Sequence, residues 1–292
     1  MKHNYLPIFL IIGIVLVSGC TKDKNTSGGG GSDALVVKSF SPEITEIEPT
    51  DDVSILATIE NVGGAKATNI RAQLLGLTDE WSIKPERTQQ IEDLLPPDPS
   101  RQLQGDVREI VWDLSPPRNP AKKVKLDYDM ELRVYYSYKT YSENLMRVAT
   151  RSYIDTFPTD QKQAEREKLK VSTSVPSSGP ISVSILARSF LLDTASDTMS
   201  ITLDIQNTGS GKPDNDKIGV NIKSAGRDLD CPGVSGGEVK LTTGKSRQLR
   251  CAVNIPGVAE RGWQEVPISI ELSYTYWVSS VSSITVLGAE VE

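Results

Sequence analysis

Beyond about residue 33, apolar and polar side chains alternate in short runs that end at Gly, Pro, Asn or Asp. In one such run, Ile55, Ala57 and Ile59 alternate with their neighbours, and residues 61–64 (Asn-Val-Gly-Gly) close it. A period of two predicts a strand that buries one face, and Asn and Gly tolerate the backbone angles of a tight turn. No helical period of 3.6 residues appears before about residue 160, so the pattern predicts an all-β chain.

The same pattern occurs twice along the chain. Three segments recur in the same order, and the matched pairs are 54–63 with 200–209, 109–114 with 248–253, and 132–138 with 270–276. Ordered self-similarity of this kind indicates a tandem repeat. Each copy has room for roughly seven short strands, the number in an immunoglobulin-like sandwich. We therefore predict two tandem immunoglobulin-like antiparallel β-sandwiches, over residues 34–158 and 181–292.

Between the copies lies a polar linker, residues 159–180. Its first part is rich in charged helix formers, with only Ala164 and Leu169 apolar and with Thr159 as a candidate N-cap. This composition predicts a short solvated helix. Residues 171–180 are rich in Ser and Pro and predict a connector, so we expect the two sandwiches to be joined semi-flexibly.

The chain opens with an export signal. After Lys2, residues 5–17 are almost entirely apolar, a length typical of a signal peptide and short of the roughly 20 residues that span a bilayer. Residues 17–20 (Val-Ser-Gly-Cys) resemble the lipobox of prokaryotic lipoproteins, whose cysteine receives the lipid. We predict a signal peptide over residues 1–19 and lipid attachment at Cys20. The alternative is an uncleaved N-terminal anchor, and on either interpretation the remainder is exported.

Residues 20–33 follow as a tether. They are mostly Gly, Ser, Thr, Asn and Lys, without side chains that could build a core. A flexible Gly/Ser-rich segment of about twelve residues spans roughly 20 Å. The prediction is an extracytoplasmic protein held at the cell membrane by the lipid on Cys20.

Charge and histidine content narrow the function classes. The net charge is −6, which disfavours nucleic acid as a partner. The only histidine is His3, inside the predicted leader. The mature chain would therefore have no histidine for a catalytic triad, a general base or a metal site, and we predict no cofactor.

The remaining two cysteines, Cys231 and Cys251, form a pair in an exported chain, where oxidation is favoured. Cys251 occupies the repeat position of Trp112, which faces inward by alternation. Cys231 lies on the preceding Gly-rich loop. We predict a disulfide that attaches this loop to the core; a redox or metal-binding pair is the alternative.

Acidic residues are the remaining candidates for chemistry. The turn at Asp214 and Asp216 offers oxygen ligands that calcium prefers, but it lacks the spacing of an EF-hand, so a plain polar turn is the competing interpretation. A carboxylate-dependent hydrolase would need two close acids. Residues 46–52, 127–129 and 228–230 contain such pairs, and each is more simply a solvated strand or turn face.

Aromatic residues cluster late in each copy, as Tyr135, Tyr136, Tyr138, Tyr141, Tyr274, Tyr276 and Trp277. Since neighbours along a strand face opposite sides, we expect Tyr136 and Tyr138 in the core and Tyr135 and Tyr141 outside. Packing explains the cluster on one interpretation. On the other, Tyr135, Tyr141 and Trp277 form an outward surface that stacks on sugars or docks a protein.

Residues 59–63 and 67–74, with residues 111–116 and 136–138, resemble CARDB-like domains, the immunoglobulin-like modules of prokaryotic cell-surface proteins. Similar repeats occur in archaeal S-layer-associated proteins. The second copy departs from the pattern after residues 207–209, where a longer polar loop follows. The resemblance implies a surface lipoprotein engaged in adhesion or structural display, without catalytic residues.

These observations favour a non-enzymatic surface protein that binds neighbouring surface proteins or envelope glycan. A lipoprotein that captures substrate for a transporter or a secreted complex is the alternative, and it predicts a concave pocket between the sandwiches. Adhesion predicts a flat exposed face or an open strand edge.

Overall fold

The computed structural model describes residues 33–118, 124–187, 189–193 and 197–288. The predicted signal peptide, the predicted lipid-attachment residue Cys20 and residues 21–32 of the predicted tether lie outside the described residues.

The first part of the chain contains eight strands: β1 Leu35–Pro42, β2 Glu46–Ile47, β3 Val53–Asn61, β4 Thr68–Leu75, β5 Ser82–Lys84, β6 Thr88–Ile91, β7 Val107–Ser115 and β8 Lys125–Thr150. A connecting region follows, with α1 Arg151–Asp155, α2 Thr159–Glu167 and β9 Val171–Pro176. The last part contains β10 Ile181–Leu186, β11 Leu191–Leu192, β12 Thr198–Asn207, β13 Lys212–Pro213, β14 Lys217–Ser224, β15 Arg227–Asp228, β16 Glu238–Lys240, β17 Ser246–Asn254, α3 Val258–Arg261 and β18 Trp263–Leu287. Short 3₁₀ turns lie at Pro99–Arg101 and Asp214–Asp216.

These strands form three sheets. A four-stranded sheet has the order β1-β3-β7-β5, and a three-stranded sheet has the equivalent order β10-β12-β17. The third sheet has 11 strands and runs β15-β14-β18-β8-β4-β6 along its main path, with short strands added at its edges. We call this third sheet the shared sheet because both repeat copies contribute to it. The predicted all-β, antiparallel, immunoglobulin-like class is confirmed.

The two copies meet along their longest strands. β8 and β18 pair antiparallel from Lys125 opposite Leu287 to Ala149 opposite Trp263, and the centre of this ladder is Ser137 opposite Thr275. β4 joins β8 on one side of that centre, while β14 joins β18 on the other. The first half of each long strand therefore lies within its own copy, and the second half extends across the other copy.

This arrangement differs from the expected semi-flexible join. A continuous backbone ladder along the 25 residues of β18 holds the copies together. The division into residues 34–158 and 181–292 stays a prediction, and the paired strands cross it. Ile284 and Val286, near the end of the second copy, are buried over the first copy, opposite residues 126–128 of β8.

The linker also differs in part from expectation. α2 confirms the helix, but it begins at Thr159 after Pro158, and no side chain caps it. Residues 171–176 form β9, which pairs with β8 between Ser142 and Met146, where a connector was predicted. β4 pairs with β8 only as far as Ser137, so the backbone groups of β8 beyond that residue would lack partners on this edge. β9 pairs with this part of β8 and supplies them.

The alternation of apolar residues explains the core. Along β3, every second residue from Val53 to Asn61 is buried, and in β17 Leu249, Cys251 and Val253 are buried. The inward faces of the three sheets contribute to a single contiguous hydrophobic core. Both faces of the shared sheet, the inward one that packs on this core and the outward one, carry the features described next.

Candidate interaction surface

Four tyrosines lie buried at the centre of the molecule, where the two copies meet. We call Tyr136, Tyr138, Tyr274 and Tyr276 the tyrosine cluster; each is at most 6% exposed. Tyr136 lies opposite Tyr276, with ring centroids 5.8 Å apart, and Tyr138 lies opposite Tyr274 at 6.2 Å. The expected inward orientation of Tyr136 and Tyr138 is confirmed.

The hydroxyl groups of the tyrosine cluster are hydrogen-bonded. The Tyr138 hydroxyl accepts from the Ala65 backbone N–H at 2.8 Å and donates to the Ser178 carbonyl at 3.0 Å. The Tyr276 hydroxyl donates to Asn207 Oδ1 at 2.8 Å. Burial raises the pKa of all four hydroxyls, that of Tyr138 to about 12. The cluster therefore fastens turns of both copies to the central ladder.

Tyr135 and Trp277 project from the opposite face, because neighbours on a strand alternate. Their ring centroids are 6.4 Å apart. On β4, Arg71 is opposite Tyr135, and its guanidinium carbon lies 4.7 Å from the ring centroid. On β13, Lys212 is opposite Trp277. Arg71, Tyr135, Trp277 and Lys212 thus cross four adjacent strands, and we call them the outer-face row.

Arg133 supports the row from the adjacent position on β8. Its guanidinium carbon lies 4.5 Å from the Trp277 ring centroid, and the group donates to Glu131 at 2.9 Å and to the Tyr135 hydroxyl at 3.4 Å. These hydrogen bonds, to Tyr135 first and to Glu131 second, hold the pKa of Arg133 above its ordinary value. A guanidinium therefore covers a face of each ring, an arrangement that stabilises the rings in fixed orientations.

The third predicted surface residue, Tyr141, lies apart from the row. It is 41% exposed and stands opposite Glu271, six residues along β8 from Tyr135, which is about 20 Å in a strand. Tyr141 lines a groove of about 740 Å³ on the outward face, near the centre of the ladder. The structure thus places Tyr135 and Trp277 together and places Tyr141 in a separate feature.

The groove draws its walls from both copies, residues 65–68 on one side and residues 214–219 on the other. Its three lysines are held in ion pairs: Lys66 with Asp93 at 2.8 Å, Lys139 with Glu271 at 2.7 Å and Lys217 with Glu238 at 3.0 Å. Serine, threonine and tyrosine groups form much of the remaining lining. The groove therefore suits a polar, uncharged ligand better than an ion.

Sequence reasoning missed Arg71, Arg133 and Lys212. Arg133 shares a face with Tyr135 by simple alternation, so its position could have been found. Arg71 and Lys212 face the aromatic residues only through pairing between strands that are far apart in sequence, and no local pattern reveals that pairing.

The predicted disulfide is present between Cys231 and Cys251. Beside it, Asp230 and Ala252 form an isolated antiparallel bridge, in which the Ala252 N–H donates to the Asp230 carbonyl at 3.0 Å. In the first copy, β5 pairs with β7 at three positions, and the Trp112 indole donates to the Glu86 carbonyl at 3.0 Å. At the equivalent position of the second copy, the disulfide thus takes the place of the β5–β7 pairing and of the indole hydrogen bond.

Asp214 and Asp216 lie in a 3₁₀ turn beside the groove, and the Asp214 carboxylate accepts from the side chain of Asn215 at 3.1 Å. Among the residues that the structure describes, no three His, Cys, Asp or Glu side chains come together to hold a metal. Among the described carboxylates, Asp93 and Asp155 have shifted pKa values. A hydrogen bond from Lys66 lowers the pKa of Asp93, and one from Lys162 lowers the pKa of Asp155.

The chain enters the fold on the inner side of the shared sheet. Asp33 Oδ1 accepts from the Ser210 N–H at 2.7 Å, and the Leu35 N–H donates to the Tyr136 hydroxyl at 3.4 Å. Tyr136 belongs to the face opposite Tyr135. The entering segment and the outer-face row therefore lie on opposite sides of the shared sheet. Within the described ranges, no helix has the length and apolar character needed to cross a membrane.

Comparisons with known proteins add little. No protein-family model matches the sequence, and no curated protein matches it. The CARDB-like resemblance therefore stays a prediction. Among solved structures, the chain is similar to the MSCRAMM ACE of Enterococcus faecalis, said to bind its ligands by the collagen Hug model, at 8% identity, over 88% of this chain and 96% of that chain, with a TM-score of 0.19. It is also similar to the collagen adhesin CNA of S. aureus, at 9% identity, over 89% of this chain and 94% of that chain, with a TM-score of 0.15. At these values the similarity carries no argument about function.

Proposed function

We propose that this chain is a non-enzymatic, extracytoplasmic protein, anchored by a lipid on Cys20, that binds a macromolecule at the cell surface through the outer-face row. The partner is a neighbouring surface protein or an envelope glycan. The chain's own task is to hold a rigid binding face away from the membrane on a flexible tether.

The opposite placement of Asp33 and the outer-face row carries this proposal. The tether leads to Asp33, on the side of the shared sheet where Tyr136 and Tyr276 are buried. A lipid on Cys20 therefore leaves the row on the side of the sheet that faces away from the anchor. A tether of roughly 20 Å gives a partner room to approach that side.

The composition of the row supports a binding role. Tyrosine, tryptophan and arginine are the residues enriched at the centres of protein interfaces. Here they stand on four paired strands of a sheet, so few degrees of freedom are lost when a partner binds. Val281, on the same face of β18 and 76% exposed, adds apolar surface beyond the row.

The experiment compares the full chain with Cys20→Ser and Trp277→Ala variants in a prokaryotic host. Incorporation of an alkyne-tagged fatty acid should occur in the wild type and be lost in Cys20→Ser, which would leave the membrane fraction. Cross-linking on intact cells should yield a partner that the wild type and Trp263→Ala retain and Trp277→Ala loses, because Trp263 is partly exposed but lies at the far end of the β8–β18 ladder, away from the row. A chain without lipid, or a partner retained equally by Trp277→Ala, contradicts the proposal.

The groove of about 740 Å³ favours a second candidate function, the capture of a small polar substrate for a transporter or a secreted complex. It is concave and is lined by residues of both copies, as that function predicts. Recovery of a permease as the sole stoichiometric cross-linked partner, with loss of the complex in Tyr141→Ala rather than Trp277→Ala, would favour this function over binding at the row.

A further inference from the structure

We infer that the outer-face row recognises an acidic protein segment in extended conformation, with two carboxylates that flank an apolar residue. This inference rests on the proposed function and names the chemistry of its partner.

The row is a basic patch on an acidic protein. The whole chain has a net charge of −6, whereas the row and its support contain Arg71, Arg133 and Lys212 against the single acid Glu131. Glu131 is engaged by Arg133. Within the described chain, neither Arg71 nor Lys212 has an acidic partner. Two cations at the ends of the row are therefore available for carboxylates, and charge complementarity favours an acidic ligand.

The rings are poorly disposed to stack on sugars. The guanidinium of Arg71 lies over Tyr135, and that of Arg133 lies over Trp277. A sugar that stacked on these faces would have to displace a cation that the ring attracts. A guanidinium stacked on a ring keeps its in-plane N–H donors available, and this planar fork matches a carboxylate in a bidentate manner.

The spacing of the row matches an extended peptide. Four adjacent strands place Arg71 and Lys212 three strand spacings apart, about 14 Å between their backbones. In an extended segment, residues i and i+4 are about 13 Å apart and point to the same side. Two acids at that spacing reach the two cations, while the residue midway between them lies over the Tyr135 and Trp277 ring edges.

The test measures binding of synthetic peptides to the full chain, purified with its disulfide intact. One peptide carries two glutamates four residues apart around a leucine, a second has the glutamates two residues apart, and a third has glutamines in their place. We expect the first to bind about tenfold more tightly than the other two, with affinity falling as salt rises.

The variants Arg71→Gln and Lys212→Gln should each weaken binding of the first peptide about tenfold. Lys223→Gln is the matched control, since Lys223 lies on β14, on the same outward face of the shared sheet but away from the row. Its replacement removes the same charge and should leave affinity unchanged. Circular dichroism confirms that each variant is folded.

Several outcomes overturn the inference: no binding of the first peptide at millimolar concentration, equal binding of the glutamine peptide, or equal affinity in Arg71→Gln and Lys223→Gln. Tighter binding of a neutral chito-oligosaccharide or of polygalacturonate would assign the row to glycan instead. The proposed function fails separately, if the cell-surface partner survives Trp277→Ala. If the partner depends on Trp277 but not on Arg71 and Lys212, only the inference of an acidic segment is contradicted, and the proposed function stands.

Discussion

Asn61 and Asn207 make three equivalent hydrogen bonds in the two copies, and Asn207 accepts one more from the Tyr276 hydroxyl. Asn61 Oδ1 accepts from the Gly63 N–H at 3.0 Å, and Asn207 Oδ1 accepts from the Gly209 N–H at 3.2 Å. Each amide nitrogen then donates to two backbone carbonyls, one within its own turn and one in a loop at least 33 residues away along the chain. The Asn-x-Gly signature is therefore a device that joins a strand end to a distant loop.

Replacement of either asparagine by alanine should destabilise the fold, and Asn61→Ala should cost more. Asn61 is fully buried, so its loss leaves the Ala65 carbonyl without this partner and removes one of the two hydrogen bonds to the Leu94 carbonyl, which keeps only the one from the Ala67 N–H, at about 2–3 kcal/mol in total. Asn207 is only partly buried, and water can replace part of its contribution. Urea unfolding of both variants measures the difference.

Asn254→Ala is the control for this comparison, because Asn254 is exposed and its replacement should change the free energy of unfolding by less than about 0.5 kcal/mol. Equal stability of the wild type and Asn61→Ala would show that the side-chain amide is not what holds the loop.

Removal of the disulfide should release residues 229–234 from β17. The double variant Cys231→Ser with Cys251→Ser loses a link that closes a loop of 20 residues, worth about 3 kcal/mol in the chain-entropy model. The bridge from Asp230 to Ala252 is too small to replace it. Thermal unfolding of the oxidised protein, the reduced protein and the double variant measures the loss.

The matched comparison is Trp112→Phe in the first copy, which removes the hydrogen bond to Glu86 and part of a fully buried ring but leaves β5 paired with β7. It should cost about 2–3 kcal/mol, of which the hydrogen bond accounts for about 1 kcal/mol and the cavity for the rest. A double variant as stable as the oxidised protein would mean that the loop is held by packing alone.

Local features of the sequence predict much of this fold. Alternation identifies the buried faces of β3, β7, β12 and β17, because a strand with one buried face must repeat with period two. The same rule separates Tyr136 from Tyr135. Repeat position and cellular context predict the disulfide, because Cys251 takes the inward position of Trp112 and an exported chain is oxidised.

The way the copies meet could not be predicted from these features. A repeat shows that two copies are alike, but the pairing of β8 with β18 depends on which edges remain open after each copy folds. The outer-face row depends on the same information. Arg71 and Tyr135 are 64 positions apart, and only the pairing of β4 with β8 makes them neighbours. Contacts set by long-range strand pairing leave no local signal.

The central ladder should make the whole chain unfold as one cooperative unit. Separate sandwiches would unfold in two steps, but here each long strand contributes buried residues to both copies, such as Met146 and Ile284. Loss of one copy therefore exposes core residues of the other. Differential scanning calorimetry should give one transition whose calorimetric and van't Hoff enthalpies agree.

A variant in one copy tests this coupling directly. Removal of the disulfide, which lies in the second copy, should lower the melting temperature of the single transition without splitting it. Two resolved transitions in the wild type, with only the lower one sensitive to reduction, would indicate independent copies.

Alkaline pH should unfold the protein through the tyrosine cluster. In the unfolded chain a tyrosine ionises near pH 10, whereas in the folded protein burial raises the pKa of Tyr138 to about 12 and raises the other three as well. Above pH 10 the unfolded state therefore loses protons that the folded state keeps, so the free energy of unfolding falls as pH rises. Stability from this source is complete below pH 10 and is lost progressively from pH 10 to 12 and beyond.

Each tyrosine contributes a slope of about 1.4 kcal/mol per pH unit over that range, and the four together give roughly 5 kcal/mol per unit. Urea unfolding between pH 8 and 11.5 should show a plateau and then a steep decline, with tyrosinate absorbance appearing as the fold is lost. Tyr138→Phe should be less stable than the wild type at pH 8, because its hydrogen bonds to Ala65 and Ser178 are lost. Its free energy of unfolding should then fall with pH about one quarter less steeply, since three tyrosines of the cluster remain. A slope in Tyr138→Phe equal to that of the wild type, or ionisation of the cluster in a protein that stays folded at pH 11, would mean that these hydroxyls are not buried at the centre of the shared sheet.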